Sequence, residues 1–165
     1  MKIDEQLSLI SYSYQDSRHG QVVFDFQQGP SKSKFIHDIQ TRLTNIDSKT
    51  IFGKGYLICY QEQIVGYFYL SPIKKERLEV EYALLKEARE KGYGKLFLTK
   101  ISDYLLQKFP IKELYVTIDP SNEKSISVAE ASSFFFDEED YEKRGYQGLM
   151  TFVKENPTYQ KGKSR

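Results

Sequence analysis

The chain has 165 residues and a mass of 19.3 kDa, which fits one ordinary domain with a sizeable core. Its composition, 39% hydrophobic and 28% charged, reads as globular, and no apolar run approaches the ~18 residues of a membrane span. A net charge of +1 from 24 basic and 23 acidic residues gives no footprint for nucleic-acid binding, and the single cysteine, Cys59, excludes an internal disulfide and a cysteine-built zinc cage. Leu7 to Tyr14 reads as a strand, Asp16 to Gly20 as a turn and Gln21 to Gln28 as a second strand. After Gly29-Pro30-Ser31, the residues Phe35, Ile36, Ile39, Leu43 and Ile46 recur at helical spacing and predict an amphipathic helix over roughly 32–46.

The middle of the chain is more sharply patterned. Gly55 to Tyr60 and Ile64 to Ser71 are β-rich runs joined by Gln61-Glu62-Gln63, a hairpin pattern. A polar turn from Pro72 to Arg77 leads into a third run, Leu78 to Leu85. A helix follows from Gly92-Tyr93-Gly94, with Leu96, Phe97, Ile101, Tyr104 and Leu105 on one face, and ends near Pro110. Glu113 to Ile118 reads as a strand closed by Asp119-Pro120. Ser121 or Asn122 can cap a short helix through about Ala131. Phe134 to Phe136 and Leu149 to Val153 read as two last strands separated by an acidic insertion, 137–144. The order predicts an α+β layer with helices packed on a mostly antiparallel sheet. A single domain over 1–157 is expected, with a short, flexible basic tail at 158–165. Met1-Lys2-Ile3-Asp4-Glu5 lacks a signal-peptide pattern, so the expected compartment is the cytoplasm, with no membrane partner.

The stretch that carries chemistry is Arg89-Glu90-Lys91-Gly92-Tyr93-Gly94-Lys95, between a strand and a helix. Glycines let backbone N–H groups turn toward a ligand, the helix aims its positive dipole end at the same spot, and Arg89, Lys91 and Lys95 add charge. Such a loop suits a diphosphate; the plainer reading is a glycine turn beside a solvated charged face. A dinucleotide fingerprint would need a third glycine where Phe97 stands, and a Walker loop would need Ser or Thr directly after Gly94-Lys95.

Arg89-x-x-Gly92-x-Gly94 at a strand-to-helix junction resembles the Arg/Gln-x-x-Gly-x-Gly/Ala motif of the GNAT acetyltransferases. The preceding Glu79-Val-Glu-Tyr82-Ala-Leu-Leu85 resembles their fourth strand. Asn122-Glu-Lys-Ser125-Ile-Ser-Val-Ala129-Glu130 resembles the Asn-x-x-Ser-x-x-x-Ala-Glu helix of the branch that acetylates ribosomal-protein N-termini and related amines. The likeness covers about residues 55–153, including Ile64-Val65-Gly66 in the hairpin. Two positions depart from the pattern: Ser133-Phe134 stands where the family has Gly-Phe, and Ala129 where many members place an acidic tyrosine.

The resemblance implies a GNAT-like sheet with a splayed fourth and fifth strand pair, and acetyl-CoA as co-substrate. It implies direct transfer to the primary amine of a small molecule or a protein N-terminus. Arg89, Glu90, Lys91, Gly92, Tyr93, Gly94 and Lys95 would then hold the diphosphate. Backbone groups around Tyr82 and Leu84 would hold pantetheine, with Leu84 N–H as a candidate oxyanion donor, and Asn122 would bond the pantetheine amide. For the catalytic base, Glu79 is the first choice and Glu81 the second; they share one face of a regular strand and read equally well as exposed carboxylates. Ser125 resembles the serine near the coenzyme sulfur, and also reads as a helix hydroxyl bonded to a nearby carbonyl. Tyr141 and Tyr146 are weaker candidates. His19 and His37 read as structural or solvated, and no metal site is expected. A catalytically silent acyl-CoA-binding or regulatory module is the alternative reading. The acidic insertion could shape an acceptor mouth or be a solvated loop, and an exposed sheet edge could pair two copies as a homodimer.

Overall fold

The computed structural model describes residues 1–11, 54–74, 77–139 and 148–159. The expected second strand, the helix over 32–46, His19, His37, Tyr141, Tyr146 and the tail from residue 160 lie outside them. The described strands are β1 (Leu7–Ser11), β2 (Lys54–Tyr60), β3 (Gln63–Lys74), β4 (Arg77–Leu84), β5 (Glu113–Ile118), β6 (Phe135–Phe136) and β7 (Met150–Glu155). Two α-helices, α1 (Tyr93–Lys108) and α2 (Glu123–Ala131), and a 3₁₀ turn at Lys86–Ala88 complete the described elements. The strands form a seven-stranded sheet in the order β1-β2-β3-β4-β5-β7-β6. The β1–β2, β2–β3, β5–β7 and β6–β7 ladders are antiparallel and β4–β5 is parallel. This is the mixed, mostly antiparallel α+β architecture that the order of patterned segments predicts.

The chain divides into two compact units, one holding residues 1–71 and 80–93, the other 72–79 and 94–165. In the first, the β2–β3 hairpin closes through Gln61 and Glu62, at φ 50° and 66°. Two successive left-handed residues match the twist of a two-residue hairpin turn, a conformation usually left to Asn and Gly. The register slips between Ile58 and Cys59, which pair with Gly66 and Ile64, so Val65 is the extra residue of a β-bulge. Leu57 and Tyr67 are buried at the centre, with Ile10, Ile64, Tyr69, Ala83 and Leu85 packed on them.

In the second unit, α1 buries Phe97, Leu98, Ile101, Ser102, Leu105 and Leu106. The expected stripe included Leu96 and Tyr104, which are half-buried; the buried stripe instead takes in Leu98 and Leu106, with Ser102 satisfied inside it. Ser102 Oγ donates to the Thr99 carbonyl at 3.1 Å and accepts from Lys154 Nζ at 2.8 Å. Asn156 Nδ2 donates at 2.8 Å to the carbonyls of Leu106 and Ile111, and so serves an orphan acceptor in the last turn of α1 and a second just beyond it. The turn expected over Pro72–Arg77 is shorter, because β3 runs through Pro72 to Lys74 and β4 opens at Arg77. Pro72 has the φ of an extended chain and so need not break a strand. The strand expected to start at Phe134 starts at Phe135, because Phe134 N–H closes α2 onto Ala129 O at 3.0 Å.

Candidate functional site

The site residues read from the sequence fall in both units. In the first unit, β4 ends at Leu84 and the chain turns through the 3₁₀ turn into Arg89–Tyr93. Leu85 N–H donates to the Val65 carbonyl at 2.8 Å, so the bulge residue of β3 anchors the start of the loop. Ala88 is buried beneath it. Arg89 Nε donates back to the Leu84 carbonyl at 3.0 Å, tying the far side of the loop to the strand end. Glu90 sits at φ 61° and Gly92 at φ 75°. Gly92 thus occupies the left-handed region that favours glycine, and a Cβ built there would meet nothing within 4 Å. The loop therefore presents bare backbone to open space, flanked by the exposed Arg89, Lys91 and Lys95, and leads directly into α1. Gly94 is the second residue of that helix. Backbone N–H groups at a helix N-terminus form a natural anion seat.

A cavity of about 300 Å³ adjoins the loop, lined by Tyr60, Gln61, Ile64 and Val65 from the hairpin and by Glu87, Lys91 and Tyr93 among others. The rings of Tyr60 and Tyr93 meet edge-on, centroids 5.2 Å apart. Nothing in the sequence pattern flagged Tyr60, since a contact between residues so distant in the chain leaves no local periodicity. Glu81, Tyr82 and Leu84 are half-buried on β4. Burial pushes the Tyr82 hydroxyl up to about 12.

In the second unit, the β4–β5 ladder runs over Arg77–Glu113, Leu78–Leu114 and Glu79–Tyr115 and ends there, while both strands continue. Glu79 is half-buried and accepts a hydrogen bond from Thr117 Oγ1. Beside it, Tyr115 OH donates to Glu113 Oε2, and Arg77 Nε lies 3.4 Å from the same carboxylate oxygen. Burial and this hydrogen bond hold the Tyr115 hydroxyl well above the usual phenol range. On α2, Asn122 is the N-cap and its Oδ1 accepts from Ser125 N–H at 3.2 Å. The carbonyl end of that side chain is thus committed to the helix, and a ligand contact would use its amide N–H. Ser125 is half-buried one turn into the helix.

At the other end of α2 the departure from the family pattern is accommodated. Ser133 adopts φ 68°, its N–H donates to Glu130 O at 3.1 Å, and Phe134 N–H to Ala129 O at 3.0 Å. These two bonds form a Schellman cap, whose left-handed position ordinarily calls for glycine. Ala129 is buried. Among the described residues, no group of three or more His, Cys, Asp or Glu side chains is placed to hold a metal ion.

The GNAT acetyltransferase domain model matches residues 9–134. The chain belongs to the GNAT acetyltransferase family. Its fold is similar to that of RimL, a ribosomal L7/L12 alpha-N-protein acetyltransferase solved with coenzyme A, at TM-score 0.69 and 15% identity over 93% of this chain and 96% of RimL. It is also similar to the Campylobacter jejuni N-acetyltransferase PseH, at TM-score 0.65 and 17% identity over 91% and 98% of the two chains. A third is the Vibrio cholerae spermidine N-acetyltransferase solved with CoA and spermine, at TM-score 0.66 and 14% identity over 94% and 99%. No curated protein sequence matches the chain significantly. The Arg89–Lys95 segment lies between the end of β4 at Leu84 and the first turn of α1.

Proposed function

We propose that this chain is an acetyl-CoA-dependent N-acetyltransferase that passes the acetyl group directly to a primary amine. The observation that supports it most is the loop itself: left-handed Glu90 and Gly92, open space above Gly92, three flanking cations and a helix start. In this reading the backbone of Arg89–Lys95 seats the diphosphate, with Arg89, Lys91 and Lys95 offsetting its charge. Backbone groups around Tyr82 and Leu84 hold the pantetheine arm, Leu84 N–H faces the developing oxyanion, and the Asn122 amide N–H bonds the arm. The coenzyme supplies a thioester whose carbonyl carbon the amine nitrogen attacks; the C–S bond then breaks and the sulfur leaves. Glu79 takes the proton released by the amine, with Glu81 as the second candidate. Ser125 offers its hydroxyl to the departing sulfur.

Ala129 carries no hydroxyl where a tyrosine could serve as acid, and this supports a second reading, a coenzyme-binding module without turnover. The acceptor class is read from chemistry alone: Glu138 and Glu139 are exposed and acidic, which suits a cationic amine such as a polyamine.

Calorimetric titration with acetyl-CoA tests the cradle. A wild-type dissociation constant near ~10 μM, about −6.8 kcal/mol, is expected. Gly92→Asp, which strains φ and puts a carboxylate into the open space, should abolish binding while the protein stays folded. No binding by folded wild-type protein at roughly millimolar acetyl-CoA would overturn the reading. Tight binding with no acetylation of polyamines, aminoglycosides or peptide N-termini would select the silent module.

A further inference from the structure

We infer that Thr117 is the positioning residue for Glu79, keeping its carboxylate aimed through a hydrogen bond across the end of the β4–β5 ladder. The inference rests on the reading of Glu79 as proton acceptor and deepens it. In the parallel register Arg77 faces Glu113 and Glu79 faces Tyr115. Alternation along each strand then puts Arg77, Glu79, Glu113, Tyr115 and Thr117 on one face of the sheet. Two separate pairings form there. Arg77 Nε is directed at the Glu113 carboxylate, which also accepts from Tyr115 OH. Thr117 Oγ1 donates to Glu79 Oε1.

The division of labour matters for proton transfer. A guanidinium beside a carboxylate strongly favours its charged form and makes it a poor base. Here the cation is engaged by Glu113, and Glu79 is held by a neutral hydroxyl. One neutral donor fixes an oxygen while leaving the carboxylate able to accept a proton on the other. Thr117 is suited to hold that geometry. Its β-branched side chain is restricted at χ1, and its backbone is paired with Thr151 of β7. On β4 and β7 the other ionisable groups of this parity are Glu81 and Glu155; Tyr67 and Tyr69 of β3 cluster with Ala83, which shares that parity, and Asp137 beyond β6 is near enough to act on Tyr115.

The test compares Thr117→Val, which keeps the shape and removes the donor, with Thr117→Ser, which restores it, and Glu79→Gln. The Glu79 carboxyl carbon is observed by carbon-13 NMR at pH 7, its signal assigned by its loss in Glu79→Gln. Acetyl transfer is followed from acetyl-CoA to spermidine as probe amine at the same pH. In Thr117→Val the carboxyl signal should move, as it must when a hydrogen-bond donor leaves one of its oxygens. The maximal rate should fall roughly tenfold, with KM for acetyl-CoA within about twofold of wild type. Thr117→Ser should return all of these. A folded Thr117→Val protein with an unmoved carboxyl signal and an unchanged maximal rate would overturn the inference. Full activity in Glu79→Gln would instead remove the base assignment, and the inference with it. If spermidine is not acetylated, the carboxyl signal alone decides whether Thr117 governs Glu79.

Discussion

Ser133 shows what one side chain contributes at a position that the backbone defines. The Schellman cap at the end of α2 requires a left-handed residue, and Ser133 takes it at φ 68° with both cap hydrogen bonds intact. A Cβ in that region costs roughly 1–2 kcal/mol, partly offset because glycine gains freedom in the unfolded chain. Ser133→Gly should therefore raise stability by about 0.5–1 kcal/mol, read as a higher urea midpoint at unchanged slope. An unchanged or lower midpoint would mean that the serine makes a compensating interaction. Arg89 is the other residue whose role exceeds its charge. Its Nε bond to Leu84 O staples the loop to β4, and a lysine cannot reproduce that planar donor. Arg89→Lys should weaken acetyl-CoA binding by roughly three- to tenfold in calorimetry although the charge is kept. Binding at wild-type strength would show that only the charge matters. A cap at Ser121 or Asn122 was legible in the sequence, because a local hydrogen bond needs only the right residue before a helix; the structure selects Asn122. The Thr117–Glu79 bond was not, since it depends on strand register.

At the scale of elements, the β2–β3 hairpin was readable from two β-rich runs joined by the short polar link Gln61-Glu62-Gln63, while the bulge at Val65 was not. Its consequence lies at Gly66, where an added Cβ would come within 2.3 Å of the Ala83 carbonyl and 3.1 Å of Leu84 Cα. Backbone cannot yield as a flexible side chain does, so the close approach of β3 to the end of β4 needs glycine here. Gly66→Ala should destabilise the protein by at least about 1–3 kcal/mol. It should also weaken acetyl-CoA binding, because the displaced strand end carries Leu84 and the loop. Loss of stability with binding intact would uncouple the bulge from the loop. The resemblance marked Ile64-Val65-Gly66 without giving this reason. Strand β7 makes the opposite point. Lys154 is buried, bonded to Ser102 and 2.7 Å from Asp103 Oδ1, with its ammonium 5.7 Å from the Phe134 ring centroid. Hydropathy ends the strand before a lysine; only its three partners in the fold explain why the strand continues past it to Glu155.

At the scale of the whole molecule, element order and fold class were legible because each segment carries its own period. The resemblance implied a splayed fourth and fifth strand pair, but that β4 and β5 run parallel, joined through α1, was not legible, since a strand's direction leaves no trace in its own residues. Long-range burial also sets the alkaline behaviour of the protein. Burial raises the Tyr82 hydroxyl to about 12, and burial with the Glu113 hydrogen bond raises that of Tyr115. A phenol held protonated by the fold supports stability fully below about pH 10, where the unfolded chain keeps its proton too. As pH rises from 10 toward 12 the unfolded state sheds protons that the native state retains, so unfolding gains free energy. Tyr82 alone should account for a loss of roughly 2–3 kcal/mol across that window. Urea unfolding from pH 8 to 11.5, followed by circular dichroism, should show the decline beginning near pH 10 in wild type and shallower in Tyr82→Phe. The difference between the two proteins isolates this hydroxyl from the lysines that titrate in the same range. Parallel declines would mean that the Tyr82 hydroxyl ionises in the native protein as readily as in the unfolded chain, and that its surroundings on β4 are wetter than its burial implies.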